Sequence, residues 1–183
     1  KLFEEINYKA GIGESFLGIA FAYHDIGELD KALDYYTRSL EIYKELGDKS
    51  NIAAKIGFIG MIHYEKGNYK KSEELLKKCL AIKNEVKEGG VIILWGTTYL
   101  YLVLKILGKQ YDIKVIHALI EKTENEWFQL HHLLYLLLEE TSYLETAYNQ
   151  IQELADNLEP DIKAKFLSYP IPKAIVEEWE EVK

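Results

Sequence analysis

Slid along itself by 40 residues, this sequence falls back onto its own pattern. Phe16, Ile19, Ala20, Tyr23, Gly27, Leu29, Ala32, Tyr36, Ser39, Leu40 and Ile42 land on Ile56, Ile59, Gly60, His63, Gly67, Tyr69, Ser72, Leu76, Cys79, Leu80 and Ile82. Each copy carries apolar residues at helical spacing, then a glycine break, then a second apolar stripe. That is the periodicity of two helices joined by a turn, not the alternation of a strand. Gly27 and Gly67 follow a helical stripe, where a residue with positive φ ends a helix at low cost. Small residues recur at Ala20/Gly60 and Ala32/Ser72, where two helix backbones must come close.

The same pattern continues in weaker form. Val91–Leu107 reads as an apolar helix, Gly108 as the break and Tyr111–Glu121 as the return helix. Glu126–Glu140 reads as the next helix, Thr141-Ser142 as a cap and Tyr143–Leu158 as its return helix. Lys49–Ser50 and Gly89–Gly90 sit at the links between pairs, and Gly11–Gly13 reads as an inter-helix turn. Beyond Leu158 the pattern stops. Pro160 opens a short helix to about Leu167, Tyr169–Pro172 is expected to be extended, and Ala174–Val182 is a final amphipathic helix. The expected organisation is 1–13 as the end of a preceding helix and a turn, 14–158 as four repeats (14–48, 49–88, 89–124 and 125–158), and 159–183 as a cap. The chain opens at Lys1 rather than at a methionine, and Leu2–Tyr8 reads as a helix remnant. The sequence is therefore expected to be a piece of a longer one.

Composition agrees with an all-α chain. The 183 residues are 48% apolar and 28% charged, and all three prolines lie at or after Pro160. An all-β chain normally carries prolines in its turns and edges. No apolar run approaches the ~18 residues of a membrane span, and no basic-then-apolar leader opens the chain. Net charge is −8 and Arg38 is the single arginine, which argues against a nucleic-acid partner. The lone Cys79 cannot form an internal disulfide and fits a reducing, cytoplasmic setting.

The register Leu/Ile, small, aromatic, Gly, aromatic/Leu, Ala, aromatic, Ala-like resembles the tetratricopeptide repeat, in a variant longer than the common period of about 34 residues. The match is closest over Glu14–Lys87, weaker over Glu126–Asn157 and weakest over Val91–Thr123, where Tyr101 and Ile113 stand at small-residue positions. The resemblance implies an all-α, right-handed α-α superhelix of about four helix pairs with C-terminal capping helices. It also implies a concave groove lined by the first helix of each pair. In that register the groove residues are Leu17, Phe21 and His24; Gly57, Met61, Tyr64 and Glu65; Trp95, Thr98, Leu102 and Lys105; and Gln129, His132, Leu136 and Glu139. The tail Glu159–Pro170 is similar to the end of the helical-repeat arm of some signalling ATPases and nucleotide cyclases.

A repeat array stacks its faces on its neighbours and leaves a long surface for binding. The implied function is a non-catalytic protein–protein interaction module that takes a peptide, a helix or a partner domain in its groove. The alternative is a sensory or autoinhibitory arm of a larger ATPase or cyclase, binding a small ligand or a protein. The groove is either open to such a partner or filled by the chain's own Ile175, Val176 and Trp179. Leu17, Phe21, Gly57, Phe58 and Met61 stand where the family's carboxylate clamp would need cations, so clamp-dependent peptides are not expected to bind.

No catalytic or metal site is expected, and no cofactor. His131 and His132 point about 100° apart on a helix. His24, His63 and His117 fall at or near core positions of different repeats, and no metal-ligand spacing occurs. Cys79 reads as a small hydrophobe. The paired glutamates read as solvated helix faces. Most tyrosines read as packing, with Tyr64, Tyr99 and Tyr101 as candidate exposed contacts. An exposed repeat end or the C-terminal helix is expected to favour association with a second copy.

Overall fold

The computed structural model describes residues 2–87, 90–123 and 127–183. Among these residues the chain is all helix: α1 (Leu2–Asp25), α2 (Leu29–Leu46), α3 (Lys49–Glu65), α4 (Tyr69–Glu85), α5 (Val91–Ile106), α6 (Ile113–Ile120), α7 (Phe128–Leu138), α8 (Thr141–Asp156), α9 (Pro160–Leu167) and α10 (Pro170–Val182). The expected link at Gly89 and the expected helix start at Glu126 lie outside the described residues. The chain divides into two compact units, the first holding α1 up to His24 and α2–α6, the second holding residues 25–27 and α7–α10.

The glycine breaks work as the sequence predicts. Gly27, Gly67 and Gly108 have φ of 80°, 74° and 65°. In each turn the next residue's N–H reaches back to a carbonyl five residues earlier: Glu28 to Tyr23 at 2.8 Å, Asn68 to His63 at 2.8 Å and Lys109 to Leu104 at 2.9 Å. These bonds satisfy carbonyls that a helix end leaves open. Asp48 caps α3 by accepting from the Asn51 N–H at 3.0 Å. Asp112 caps α6 by accepting from the Lys114 N–H at 3.0 Å.

The core of the first unit joins α1 to α4 through Ala20, Ala32, Tyr36, Leu40, Ile56, Ile59, Ile62 and Cys79. Ile62 and Ala32 are fully buried, and burying one such isoleucine is worth about 1.5–3 kcal/mol. Small residues set the helix spacing. A Cβ on Gly60 would stand 3.0 Å from Leu76 Cγ, and one on Gly57 would stand 3.0 Å from Cys79 Sγ. Ser72 Oγ donates to the Gly60 carbonyl at 2.7 Å. Packed against α2, α4 and α5, α3 is enclosed nearly all round: Ala53 through Gly57 and Ile59 through Ile62 are all buried.

Two local expectations change. Gly11–Gly13 is not a turn, because α1 runs unbroken from Leu2 to Asp25. Gly13 sits where α2 comes closest: an added Cβ would lie 2.9 Å from Tyr43 Cε2, and the Gly13 carbonyl accepts from Ser39 Oγ at 2.8 Å. Packing on α2 overrides the local cost of glycine in a helix. His117, expected near the core, is exposed on the short α6.

The second unit packs around α8. Leu144, Ala147 and Ile151 of α8 and Ile175 of α10 are fully buried, with Phe128, Tyr135, Phe166 and Trp179 against them. Trp179 stacks on Tyr148 at 5.5 Å. Pro160 starts α9 where the sequence places it. The stretch 169–172 is not extended throughout: α10 begins at Pro170, and only Tyr169 keeps extended angles. Pro170 and Pro172 lie in the first helical turn, where a missing N–H costs nothing. Thr141-Ser142 does not cap α8 either. The cap position is Glu140, and the break is made by Glu139 with φ of 62°.

Candidate functional site

The residues of interest in the first unit lie on the first helices of its pairs, α1, α3 and α5. Phe21 of α1 is half-buried and meets Phe58 of α3 edge-on at 5.0 Å, with Tyr36 of α2 edge-on at 5.6 Å. One turn further along α1, His24 is 8% exposed. Its Nε2 stands 2.7 Å from Glu65 Oε1 at the end of α3. The carboxylate can only accept when ionised, so Nε2 is assigned the proton. Tyr99 of α5 donates its phenol to the same oxygen at 3.4 Å. Three helices thus meet at the Glu65 carboxylate, whose side chain stays 24% exposed.

Aromatic rings frame this polar point. Tyr64 is half-buried and lies edge-on to Tyr99 at 5.3 Å and to Tyr69 at 5.9 Å. Trp95, half-buried and one turn before Tyr99, has its ring 6.1 Å from it. Burial raises the Tyr99 phenol well above its usual range, with the Glu65 charge adding to the effect. Burial also raises Tyr64, with Tyr69 and Glu65 contributing. Both phenols therefore stay protonated at neutral pH, and Tyr99 keeps its role as donor to Glu65. The result is an acidic point held from two sides and bordered by rings, with apolar flats and one fixed acceptor.

Of the groove residues expected from the sequence, His24 meets Glu65, and Tyr64 and Trp95 meet Tyr99, which bonds the same carboxylate; Phe21 packs one turn earlier on Phe58 and Tyr36. Leu17 is half-buried and packs on the core of the first pairs. Met61, Thr98 and Leu102 do not face an open surface: they are 4%, 0% and 4% exposed. Met61 belongs to the enclosed α3, and Thr98 turns its hydroxyl to its own helix, donating to the Leu94 carbonyl at 2.8 Å. Gly57 is buried against Cys79 of α4. Lys105 is exposed in the last turn of α5. Tyr99, read as an exposed contact, is 2% exposed, and Tyr101 packs against Tyr111 at 5.0 Å. Spacing alone gave no sign of the Tyr99–Glu65 bond. The repeat register hints only at the His24–Glu65 match, one residue off the 40-residue period.

Gln129, His132, Leu136 and Glu139 belong to the second unit. His132 is 7% exposed, and its Nε2 stands 2.9 Å from Glu178 Oε2 of α10. Its neighbour His131 turns instead to Gln150 of α8, with Nδ1 at 3.0 Å. Gln129 and Leu136 are half-buried, and Glu139 is exposed at the turn. Ile175 and Trp179, considered as groove fillers, are used in the α8–α10 core of this unit.

A shallow depression lined by His63, Gly67, Asn68, Tyr69, Lys70 and Lys71 lies at the start of α4. Burial lowers the His63 pKa, with Lys71 and Lys66 adding to the effect. Cys79 is 1% exposed, and burial pushes its thiol up to about 11. Among the described residues no three His, Cys, Asp or Glu side chains converge as metal ligands. Among the same residues no helix is long and apolar enough to cross a membrane.

No curated protein matches the sequence. The tetratricopeptide repeat family model matches residues 12–85, the span of the glycine-broken pairs α1–α2 and α3–α4. Residues 12–85, with their 40-residue period, matched turns and small-residue contacts, are similar to tetratricopeptide repeats.

Proposed function

We propose that the α1–α3–α5 surface binds a peptide or helix of a protein partner, without catalysis. Tetratricopeptide repeats generally mediate protein–protein interaction, and repeat stacks offer long continuous faces for it. The observation that carries the reading is the Glu65 carboxylate, gathered by His24 and Tyr99 from two other helices yet left a quarter exposed among rings. The arrangement suits a segment that lays an aromatic or aliphatic side chain on Tyr64 and Trp95. The same segment would set a Lys, an Arg or a backbone N–H over Glu65. Each well-buried anchor supplies about 1.5–3 kcal/mol, so two or three reach micromolar affinity after the costs of association. In this reading residues 14–158 form the interaction block and 159–183 close it. The lone buried Cys79 supports a reducing compartment such as the cytoplasm.

The test compares partner recovery by the chain with recovery by Glu65→Gln and by Trp95→Ala. Helix content and melting of all three are followed by circular dichroism. Both variants are expected to keep their fold and lose at least about 10-fold in affinity, since each removes about 1.4 kcal/mol or more. Equal recovery by folded variants refutes the surface as the binding face.

A further inference from the structure

The two bonds that gather Glu65 fall on one of its oxygens. His24 Nε2 stands 2.7 Å from Oε1, and the Tyr99 phenol donates to the same atom at 3.4 Å. Two donors occupy both lone pairs of that oxygen. Among the described residues Oε2 takes no hydrogen bond. The Glu65 side chain is 24% exposed, whereas His24 is 8% exposed. One oxygen is thus committed to the fold, and the other is left for a partner.

The charge at this point depends on His24. Histidine is the side chain whose ordinary pKa places its charge change between about pH 5 and pH 8. Neutral His24 donates its Nε2–H and leaves the pair with the full negative charge of Glu65. Protonated His24 makes the same bond to the same atom and brings the pair to zero. The neighbouring groups leave this step distinct. Asp25 follows His24 on α1, and Asp30 of α2 pairs with Lys66 of α3. Carboxylates and ammoniums as types titrate outside this range. The Tyr99 phenol of α5 and the Tyr64 phenol of α3 are raised by burial and stay neutral, and Tyr69 of α4 lies beyond Tyr64. His63 of α3 is the neighbouring histidine. Burial, with Lys71 and Lys66, lowers its pKa, so it charges at more acid pH than an ordinary histidine.

We infer that His24 gates the Glu65 point: neutral, it leaves a negative charge that holds a cationic segment, and protonated, it cancels that charge and releases the segment. The released segment rests on the binding reading above; the gated charge rests on the His24–Glu65 pair alone. A cation on Oε2 and a proton on His24 stand about 5–6 Å apart across one carboxylate. Their repulsion lowers occupancy by at least about 10-fold at low ionic strength. By linkage, the arriving cation favours loss of the His24 proton by the same factor.

The probe is a small nitroxide carrying a quaternary ammonium, with a neutral nitroxide of similar size as reference. Each is added to the full chain at low salt, and paramagnetic broadening of the Tyr64, Glu65 and Trp95 amide signals is read at about pH 8 and about pH 5. The excess broadening by the cationic probe should fall at least about 2-fold from the higher pH to the lower. His24→Gln keeps a neutral donor and should hold the high-pH excess throughout, while His63→Gln should leave the fall in place. Glu65→Gln should show little excess at either pH, and His24 should titrate at lower pH in that variant than in the unaltered chain. Circular dichroism checks each fold; if His24→Gln does not fold, the His24 titration in Glu65→Gln decides. The inference is overturned by an excess equal at both pH values, by a fall that persists in His24→Gln or disappears in His63→Gln, or by a His24 titration unmoved in Glu65→Gln. None of these readings needs a partner. Equal partner recovery by Glu65→Gln in the test above refutes the binding reading, and with it the released segment, whatever the probe shows.

Discussion

Two glycines inside α1 should respond differently to the same substitution. At Gly18 an added Cβ meets nothing within 4 Å. Gly18→Ala therefore shows only the backbone term, a gain of about 0.5–1 kcal/mol. At Gly13 the same Cβ lies 2.9 Å from Tyr43 Cε2, 3.2 Å from Ile42 Cγ2 and 3.3 Å from Tyr43 Cζ. Tyr43 cannot swing aside. It is 3% exposed, its hydroxyl donates to Glu14, and Lys55 Nζ sits 4.3 Å from its ring centre. So α1 has to lift off α2, stretching the bond from Ser39 Oγ to the Gly13 carbonyl. Overpacking of this kind costs about 1–3 kcal/mol. Set against the same backbone gain, Gly13→Ala comes out roughly neutral to 2 kcal/mol destabilising. The two variants should thus differ by about 1–3 kcal/mol, or by several degrees of melting temperature at about 2–4 °C per kcal/mol for a chain of this size. Urea and thermal unfolding by circular dichroism would read this difference. If Gly13→Ala proves as stable as Gly18→Ala, the close approach of α1 and α2 does not hold.

Four further substitutions and probes test other parts of the fold. Ile175→Ala removes a fully buried side chain shared by α8 and α10 and should cost about 2–5 kcal/mol in urea unfolding. Glu139→Gly relieves a left-handed backbone at φ of 62° and should raise stability by about 1 kcal/mol in the same assay. Cys79, its thiol pushed up to about 11 by burial from an ordinary 9.0, should react with a disulfide reagent at pH 8 at least about 100-fold more slowly in the native chain than in urea; equal rates would contradict its burial. Lys55 is 2% exposed, and burial holds its pKa below the ordinary range against the raising effect of Glu14. The unfolded chain therefore binds this proton more tightly. The charge destabilises the fold fully below the depressed pKa, and the effect fades as pH rises toward the unfolded value. Lys55→Met should be neutral to about 2 kcal/mol stabilising at pH 7, with a smaller gain at pH 10, read from urea midpoints.

Much of the first unit could be read directly from residues. Gly27, Gly67 and Gly108 are legible because positive φ after a helix has one low-cost occupant. Glu139 makes the fourth such turn with no signal, since nothing distinguishes a glutamate in that conformation from one on a helix surface. Gly11–Gly13 looked like a break because local propensity is all that a sequence shows. The reason for Gly13 lies 30 residues away at Tyr43. The candidate site was legible in half. His24, Tyr64 and Glu65 follow from the repeat register, but a single residue step turns a helix by about 100°. That step separates Tyr99, whose ring meets Tyr64 and Trp95, from Thr98, whose hydroxyl turns back to its own helix. In the third pair Tyr101 and Ile113 replace the small residues that anchor the register elsewhere, so the step could not be resolved there.

The enclosure of α3 on almost every side also sets an order in time. Its amide hydrogens should be the last in the first unit to exchange with solvent, because no local fraying exposes a helix wrapped by α2, α4 and α5. In an array where each pair leans only on its neighbours, folding starts where contacts are both local and dense. Among the contacts of the described residues that place is the α3–α4 hairpin. The glycine-rich α1, weak as an isolated helix, then joins a template already formed, and the first pair is completed from its second helix backwards.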